Sequence, residues 1–148
     1  MRVTDAAQRV QRSAFPEAYE RWADESAVLT RALLGNATGA VACTLTGEPA
    51  RRGTAAATAL AAGLKLDWGR LQTVAPAAAG LAVPVADIRI GWRYAHWLVS
   101  HATEHGVQRV RFADLQWTAQ AGTWAQVPRE QAAGSTQVVA EVFSERKS

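Results

Sequence analysis

The stretch GWRYAHWLVSHATEHGVQRVRFADLQWTAQAGTWAQV, Gly91–Val127, decides the fold of this chain. It contains four of the six tryptophans and all three histidines. Apolar residues first recur at intervals of three and four, which predicts a helix over about Trp92–Glu104, and Gly106 is a typical residue for ending it. Apolar and polar residues then alternate over Gln108–Phe112, which predicts a half-buried strand. A helix followed by short strands is therefore the unit on which the rest of the fold is expected to assemble.

A tryptophan hairpin is predicted to complete this unit. Leu115–Thr118 and Thr123–Val127 are two short strands around Ala121-Gly122, and they place Trp117 and Trp124 on neighbouring strands. An aromatic pair across two strands stabilises a hairpin by about 0.5–1 kcal/mol, so packing is the favoured interpretation of both residues. The functional alternative is an aromatic platform that stacks on a sugar ring or another flat apolar surface.

Outward from this unit, the sequence predicts further helices and strands. A short helix is expected over Asp5–Gln11, and the other predicted elements are helices at Pro16–Leu34 and Thr54–Leu66 and strands at Ala40–Leu45, Leu71–Val74, Leu81–Val85 and Gln137–Phe143. Strands outnumber the crossover helices that a parallel sheet needs. The expected class is α+β, with a mainly antiparallel sheet of five to six strands, helices packed on one face, and one or two N-terminal helices before it.

Composition is that of a globular protein. Of the 148 residues, 49% are apolar and 20% are charged, which are ordinary values for a folded domain. Residues 1–35 are expected to form a helical segment and residues 36–148 the α+β domain. The net charge of +3 is mildly basic, but the positive residues are dispersed, whereas nucleic-acid binding proteins concentrate them on one face. A nucleic-acid partner is therefore not favoured.

Neither a metal site nor a cofactor is predicted. His101 and His105 have the i, i+4 spacing of a zinc pair on a helix, but the glutamate of a metalloprotease helix and a third ligand are missing. Solvated or capping histidines near a helix C-terminus explain the spacing better, because positive charge is favoured there. Cys43 is the only cysteine, so no internal disulfide is expected, and a small buried thiol is the favoured interpretation.

Carboxylates give no catalytic pair in the sequence alone. Four of them lie on one predicted helix, where the helix dipole explains them, and the others are isolated. No phosphate loop, serine elbow or CxxC motif is present. A hydrolase would require a cleft that joins two ionisable groups, and the candidates are Glu17, Asp67, Asp87, Glu141, His96 and His101.

The N-terminal motif resembles a known family. VTDAAQRVQRSAFPEAY, Val3–Tyr19, resembles the end of the lysozyme-like domain in a group of actinobacterial envelope-associated proteins, some of which carry the name "heavy metal transporter". In that group the lysozyme-like signature lies upstream of this motif. The resemblance implies that this chain is a carboxy-terminal portion, that its location is extracytoplasmic or in the cell envelope, and that the glycan-cleaving part is not included.

A second resemblance concerns residues 91–124. This stretch is similar to the carboxy-terminal domain of the same proteins and, more distantly, to the helix-and-hairpin half of the D-alanyl-D-alanine carboxypeptidase and hedgehog superfamily. Those zinc peptidases end on a strand with histidine ligands. The corresponding strand here, Ser135–Val142, contains no histidine. The resemblance therefore implies the fold without the zinc and its activity.

Together these observations predict a non-catalytic accessory domain of the cell envelope. It is expected to bind or position its parent protein on peptidoglycan or on a protein partner, and the expected contact residues are Trp97, Trp117, Trp124 and His101. The alternatives are a degenerate or cryptic cell-wall hydrolase and a basic module that binds protein or nucleic acid. No run of about 18 apolar residues predicts a transmembrane helix. The N-terminus also lacks a signal-peptide pattern, so any export signal is expected outside this sequence.

Overall fold

The computed structural model describes residues 2–12, 14–69, 71–72 and 80–146. The chain divides into two compact units, Met1–Arg31 and Ala32–Ser148. The division falls at Arg31 and not at residue 35, where the sequence suggested it. Among the described residues, no helix has both the length and the apolar content needed to cross a lipid bilayer.

The first unit is helical. Helix α1 (Val3–Gln11) is followed by a 3-10 helix (Pro16–Trp22) and by the start of α2 (Ala23–Leu33). The Thr4 hydroxyl donates a hydrogen bond to the Glu20 carboxylate, which ties α1 to the 3-10 helix. The prediction of one continuous α-helix from Pro16 was wrong in its first two turns, which take the tighter 3-10 form that is frequent at helix N-termini.

The second unit is the α+β domain that the sequence predicted. Its helices are α3 (Gly53–Trp68), α4 (Ile88–Ser100) and α5 (Ala102–His105), and its strands are β1 (Gly80–Pro84), β2 (Val107–Ala113), β3 (Leu115–Thr118), β4 (Trp124–Gln126) and β5 (Gly134–Val142). The strand order is β1-β5-β2-β3-β4. Every neighbouring pair is antiparallel. The predicted class and sheet type are thus confirmed.

Alternation along the strands divides the sheet into an apolar and a polar face. Val138, Ala140 and Val142 of β5 are buried, and the residues between them are only half-buried. The apolar face forms one core cluster with the inner residues of α3 and α4, including Leu60 and Leu98. Because side chains in a strand point alternately to opposite faces, this pattern follows directly from the sequence.

The polar face of the sheet is held by one ion-pair group. The Glu141 carboxylate accepts a hydrogen bond from Arg109 at 2.8 Å and another from Arg111 at 2.7 Å. All three side chains are partly buried. Two guanidinium groups therefore share one carboxylate across β2 and β5.

Helix α4 begins four residues before the predicted start. Asp87 is its N-cap, and its side chain accepts a hydrogen bond from the Ile90 N–H at 2.8 Å, the usual role of an aspartate at this position. The predicted single helix to Glu104 is interrupted at His101, the residue between α4 and α5. Eight residues of α4 are buried, so the helix is enclosed on more than its sheet-facing side.

The segment 40–45 was predicted as a strand and is not one. Its extended backbone bonds mainly to side chains: the indole N–H of Trp124 donates to the Val41 carbonyl at 2.8 Å and that of Trp117 donates to the Cys43 carbonyl at 3.1 Å. Its backbone bond to the hairpin is from the Leu45 N–H to the Ala119 carbonyl, at 3.2 Å. A single such bond does not make a ladder, so the prediction of a strand was wrong. The segment is also less buried than its apolar pattern indicated, because Val41, Cys43 and Leu45 are half-buried and the residues between them are exposed.

Of the two strands predicted at Leu71–Val74 and Leu81–Val85, the first is not seen in the described residues. Residues 71 and 72 are outside any strand, and residues 73–79 lie outside the described part. The second of the two stretches forms β1, which pairs with β5. In the described part of the chain, its partner is thus the closing strand.

Candidate functional site

A cleft of about 410 Å³ lies between α3 and the α4–α5 pair. Small residues of α3 form one wall, and aromatic rings of α4 and α5 form the other. The residues that line it are Arg51, Ala59, Ala62, Gly63, Leu66, Asp67, Trp97, His101, Glu104 and His105. Two of the four predicted site residues, Trp97 and His101, are therefore in one cleft.

Trp97 lies on the side of α4 that faces α3. It is only 6% exposed, because α3 covers that side. Its indole N–H donates a hydrogen bond to Asp67 Oδ2 at 2.8 Å. A Cβ atom at Gly63 would lie 3.1 Å from the Trp97 ring and 2.8 Å from His105 Nε2. The glycine thus allows α3 to approach the rings closely.

His101 is the half-exposed ring of the cleft. Its imidazole stacks on Trp97 with ring centroids 4.2 Å apart and an interplanar angle of 20°. His101 Nδ1 lies 2.9 Å from the Trp97 carbonyl oxygen. A carbonyl can only accept, so the bond requires the proton on Nδ1. Nε2 is then the acceptor atom of the neutral ring, without a hydrogen-bond partner in the described part of the chain.

His105 extends the stack into the interior. Its ring centroid lies 5.9 Å from that of Trp97 at an interplanar angle of 22°, and the residue is 7% exposed. Burial lowers the pKa of His105 below its usual value. The prediction that this histidine is solvated was wrong, because α3 packs over it. Its Nδ1 atom is buried and has no hydrogen-bond partner among the described residues.

Charged groups stand at the rim of the cleft. Asp67 and Glu104 are both exposed carboxylates, and only Oδ2 of Asp67 is engaged, by Trp97. Among the described residues, Arg51 is the one guanidinium in the lining, and its Nη1 donates to the main-chain carbonyl of Glu104 at 3.1 Å. With neutral histidines these described lining residues carry a net charge of −1, in a chain of net charge +3.

The other two predicted site residues belong to the core. Trp117 is fully buried at 0% exposure and pairs with Trp124 across β3 and β4, as the hairpin pattern predicted. Trp124 is half-buried and packs edge-on against Trp92, with centroids 5.1 Å apart. Both indoles bond to the segment 40–45, so a platform of Trp97, Trp117 and Trp124 does not form.

His96 has a structural role that the sequence did not reveal. The residue is 0% exposed. Its Nε2 accepts a hydrogen bond from the Ala40 N–H at 3.0 Å, and Nδ1 lies 2.6 Å from the Ala32 carbonyl. Nδ1 therefore carries the proton of a neutral ring. His96 thus fixes both ends of the segment 32–40 on α4.

The remaining ionisable candidates are engaged elsewhere. Asp87 caps α4, Glu141 holds two arginines, and Glu17 bonds to Arg2 at 3.1 Å in the first unit. Asp67 and His101 are the pair from the predicted set that one cleft joins. In the described part of the chain, no three His, Cys, Asp or Glu side chains are arranged to hold a metal ion.

A second concavity, of about 390 Å³, lies near the N-terminal end of β2. Its lining includes Leu45, Gln108, Arg109 and Phe143. The guanidinium of Arg109 is already bonded to Glu141, so its main charged group is neutralised. The described lining of this concavity also includes the polar side chains of Gln108, Thr118 and Gln120 but no carboxylate.

Comparison with protein-family models, with curated proteins and with solved structures returned no significant match. The function is therefore inferred chiefly from the geometry of the cleft. The sequence did not single out Gly63, Arg51 or Glu104, and it named Asp67 only as an isolated carboxylate. A signal existed for the ring wall, since Trp97, His101 and His105 recur at intervals of four, but nothing local indicates which residues of α3 face them.

The buried His96 makes stability depend on pH. Burial lowers the pKa of His96, so the unfolded chain takes up a proton near pH 6.5 that the folded protein resists. Folding stability is then fully present above that pH and is lost as pH falls toward the folded-state pKa. His105 acts with the same sign. We expect the free energy of unfolding, measured with urea, to decrease as the pH is lowered from about 7.5 to about 5.5. Each histidine should contribute up to about 1.4 kcal/mol per pH unit to this decrease.

The variant H96Q separates the two histidines. It should be less stable at pH 7.5, because it loses part of the bonding to the segment 32–40, but its stability should change less with pH. A pH dependence in H96Q equal to that of the unchanged protein would show that His96 is not responsible.

Proposed function

We propose that this chain is a non-catalytic accessory domain of the cell envelope that binds peptidoglycan or an envelope protein partner through the cleft between α3 and α4–α5. The observation that carries the proposal is the cleft itself. It combines a stacked pair of rings, Trp97 and His101, with free polar atoms at its rim. The resemblance of residues 3–19 and 91–124 to envelope proteins supplies the expected ligand class.

The volume and chemistry of the cleft suit a small polar ligand. Its size of about 410 Å³ is within the range of ordinary small-molecule sites. The exposed face of His101 offers a flat surface, and its Nε2 offers an acceptor. Asp67 and Glu104 add carboxylate oxygens at the rim. These groups can recognise hydroxyl, amide and amino groups, all of which peptidoglycan contains.

Retention on purified peptidoglycan sacculi tests this proposal. The unchanged protein should be retained and H101A should be retained about threefold to tenfold less, because removing one contact group costs about 0.7–1.4 kcal/mol of binding. T103A is the matched control, since Thr103 is exposed on α5, two residues after His101, and does not line the cleft.

A second variant blocks the cleft without touching its rings. Ala62 is an exposed residue of the α3 wall, and A62Q should occupy the cleft and abolish retention. A55Q, at another exposed alanine of α3, should bind like the unchanged protein. Equal retention of A62Q and A55Q would contradict a binding role for this cleft.

A degenerate hydrolase is the second candidate, because Asp67 and His101 line the same cleft. A carboxylate and an imidazole with a free acceptor nitrogen are residue types that act as general acid and base. Release of soluble fragments from dye-labelled sacculi by the unchanged protein, and not by D67N, would support this activity. Absence of release with normal retention would favour the binding role.

A basic interaction module has less support. Arg109 and Arg111 share Glu141, and Arg52 and Arg146 share Glu48. Because these guanidinium groups are paired with carboxylates, they do not form a free cationic face. Binding to nucleic acid would have to fall steeply with salt, and we expect no such binding.

A further inference from the structure

We propose that the cleft recognises a primary ammonium group carried on a short flexible chain. The inference rests on the proposed binding function and narrows it to one chemical class of ligand. The shared chemistry occurs in two sources, the free amino groups of peptidoglycan peptides and the lysine side chains of a partner protein.

The free polar atoms of the cleft are mainly acceptors. Asp67 Oδ2 is used by the Trp97 indole, which leaves Oδ1. His101 presents its bare Nε2, since its Nδ1 is bonded to the Trp97 carbonyl. Glu104 presents a carboxylate that no arginine or lysine of the described residues pairs with. Such a set is matched by a ligand with several N–H donors, and an ammonium has three.

Charge and ring geometry favour the same ligand. The lining has two carboxylates and one guanidinium, and Arg51 is positioned by its bond to the Glu104 main chain. A cation is therefore attracted to this cleft although the whole chain is net positive. The half-exposed His101 ring, which stacks on Trp97, adds a flat surface against which the aliphatic chain of such a ligand can pack.

Two matched probes test the inference on the full chain. In two-dimensional amide spectra, Nα-acetyl-lysine methylamide should shift the Trp97 indole signal saturably. Nα-acetyl-norleucine methylamide, which has the aliphatic chain without the ammonium, should bind at least about threefold more weakly, the size expected for one exposed ion pair. E104Q and D67N should reduce this difference, and T103A should preserve it. Equal binding of the two probes, or no shift with either, would overturn the inference.

Retention on native and on acetylated sacculi separates the ammonium proposal from the broader proposal of binding to the cell envelope. Native sacculi should retain the protein about threefold more than sacculi whose amino groups have been acetylated. Equal retention on both overturns the ammonium proposal and leaves the envelope function standing. Binding of the lysine probe without retention on native sacculi supports the ammonium site and indicates a protein source. Failure of both assays overturns the two proposals together.

Discussion

Replacing Trp117 by alanine is expected to destabilise the second unit by about 3–5 kcal/mol, the range observed for large aromatic residues in protein cores. Trp117 is 0% exposed and joins β3 to the segment 40–45 through its bond to the Cys43 carbonyl. The substitution therefore leaves a cavity and an unpaired carbonyl at the same place. Urea unfolding followed by circular dichroism measures the loss.

The conservative variant W117F keeps the result interpretable if W117A does not fold. Phenylalanine fills most of the volume but cannot donate to Cys43, so a loss of about 1–3 kcal/mol is expected. L66A is the control, because Leu66 is 85% exposed. The free energy of unfolding of L66A should differ from that of the unchanged protein by less than about 0.5 kcal/mol. A loss below about 1 kcal/mol in W117A would show that Trp117 does not connect these elements.

Gly91→Ala is expected to cost about 2–3 kcal/mol, although alanine is favoured over glycine in a helix by about 1 kcal/mol. A Cβ atom at Gly91 would lie 1.9 Å from Cζ of Phe112, and both residues are buried between α4 and β2. The ring must move within a packed core, which is the overpacking case. The unfolding free energy of G91A measures this cost.

The substitution Phe112→Leu tests whether the contact with the Phe112 ring causes the cost of G91A. Leucine is shorter than phenylalanine, so the double variant G91A/F112L should be more stable than the sum of the two single losses predicts. We expect a coupling of at least about 1 kcal/mol, within the range for residues in contact. Additive losses would mean that the cost of G91A arises elsewhere.

Much of the second unit could be predicted from the sequence because its patterns are local. The alternation of Val110 and Phe112 with two arginines identified β2, and Ala121-Gly122 identified the turn of the tryptophan hairpin. The segment 40–45 was misread for a non-local reason. Its carbonyls are bonded by Trp117 and Trp124, more than 70 positions along the chain, and no pattern within the segment records those bonds.

The candidate site could be predicted only in part. The sequence named Trp97 and His101 as contact residues, and the structure has both in the cleft. It named Asp67 only as an isolated carboxylate, because no local pattern shows that α3 packs beside Trp97, and the burial of His105 was missed for the same reason. Similarly, the partners of His96 lie 56 and 64 positions away.

The amide spectrum of the protein with soluble fragments of digested sacculi tests the central claim most directly. Each of the six tryptophans gives its own indole N–H signal, and these signals report on separate places in the structure. Our account predicts that the Trp97 signal shifts in proportion to bound ligand and that the signals of Trp117 and Trp124 stay in place. Binding that shifts residues beside Arg109 and Phe143 and leaves Trp97 unchanged would contradict it.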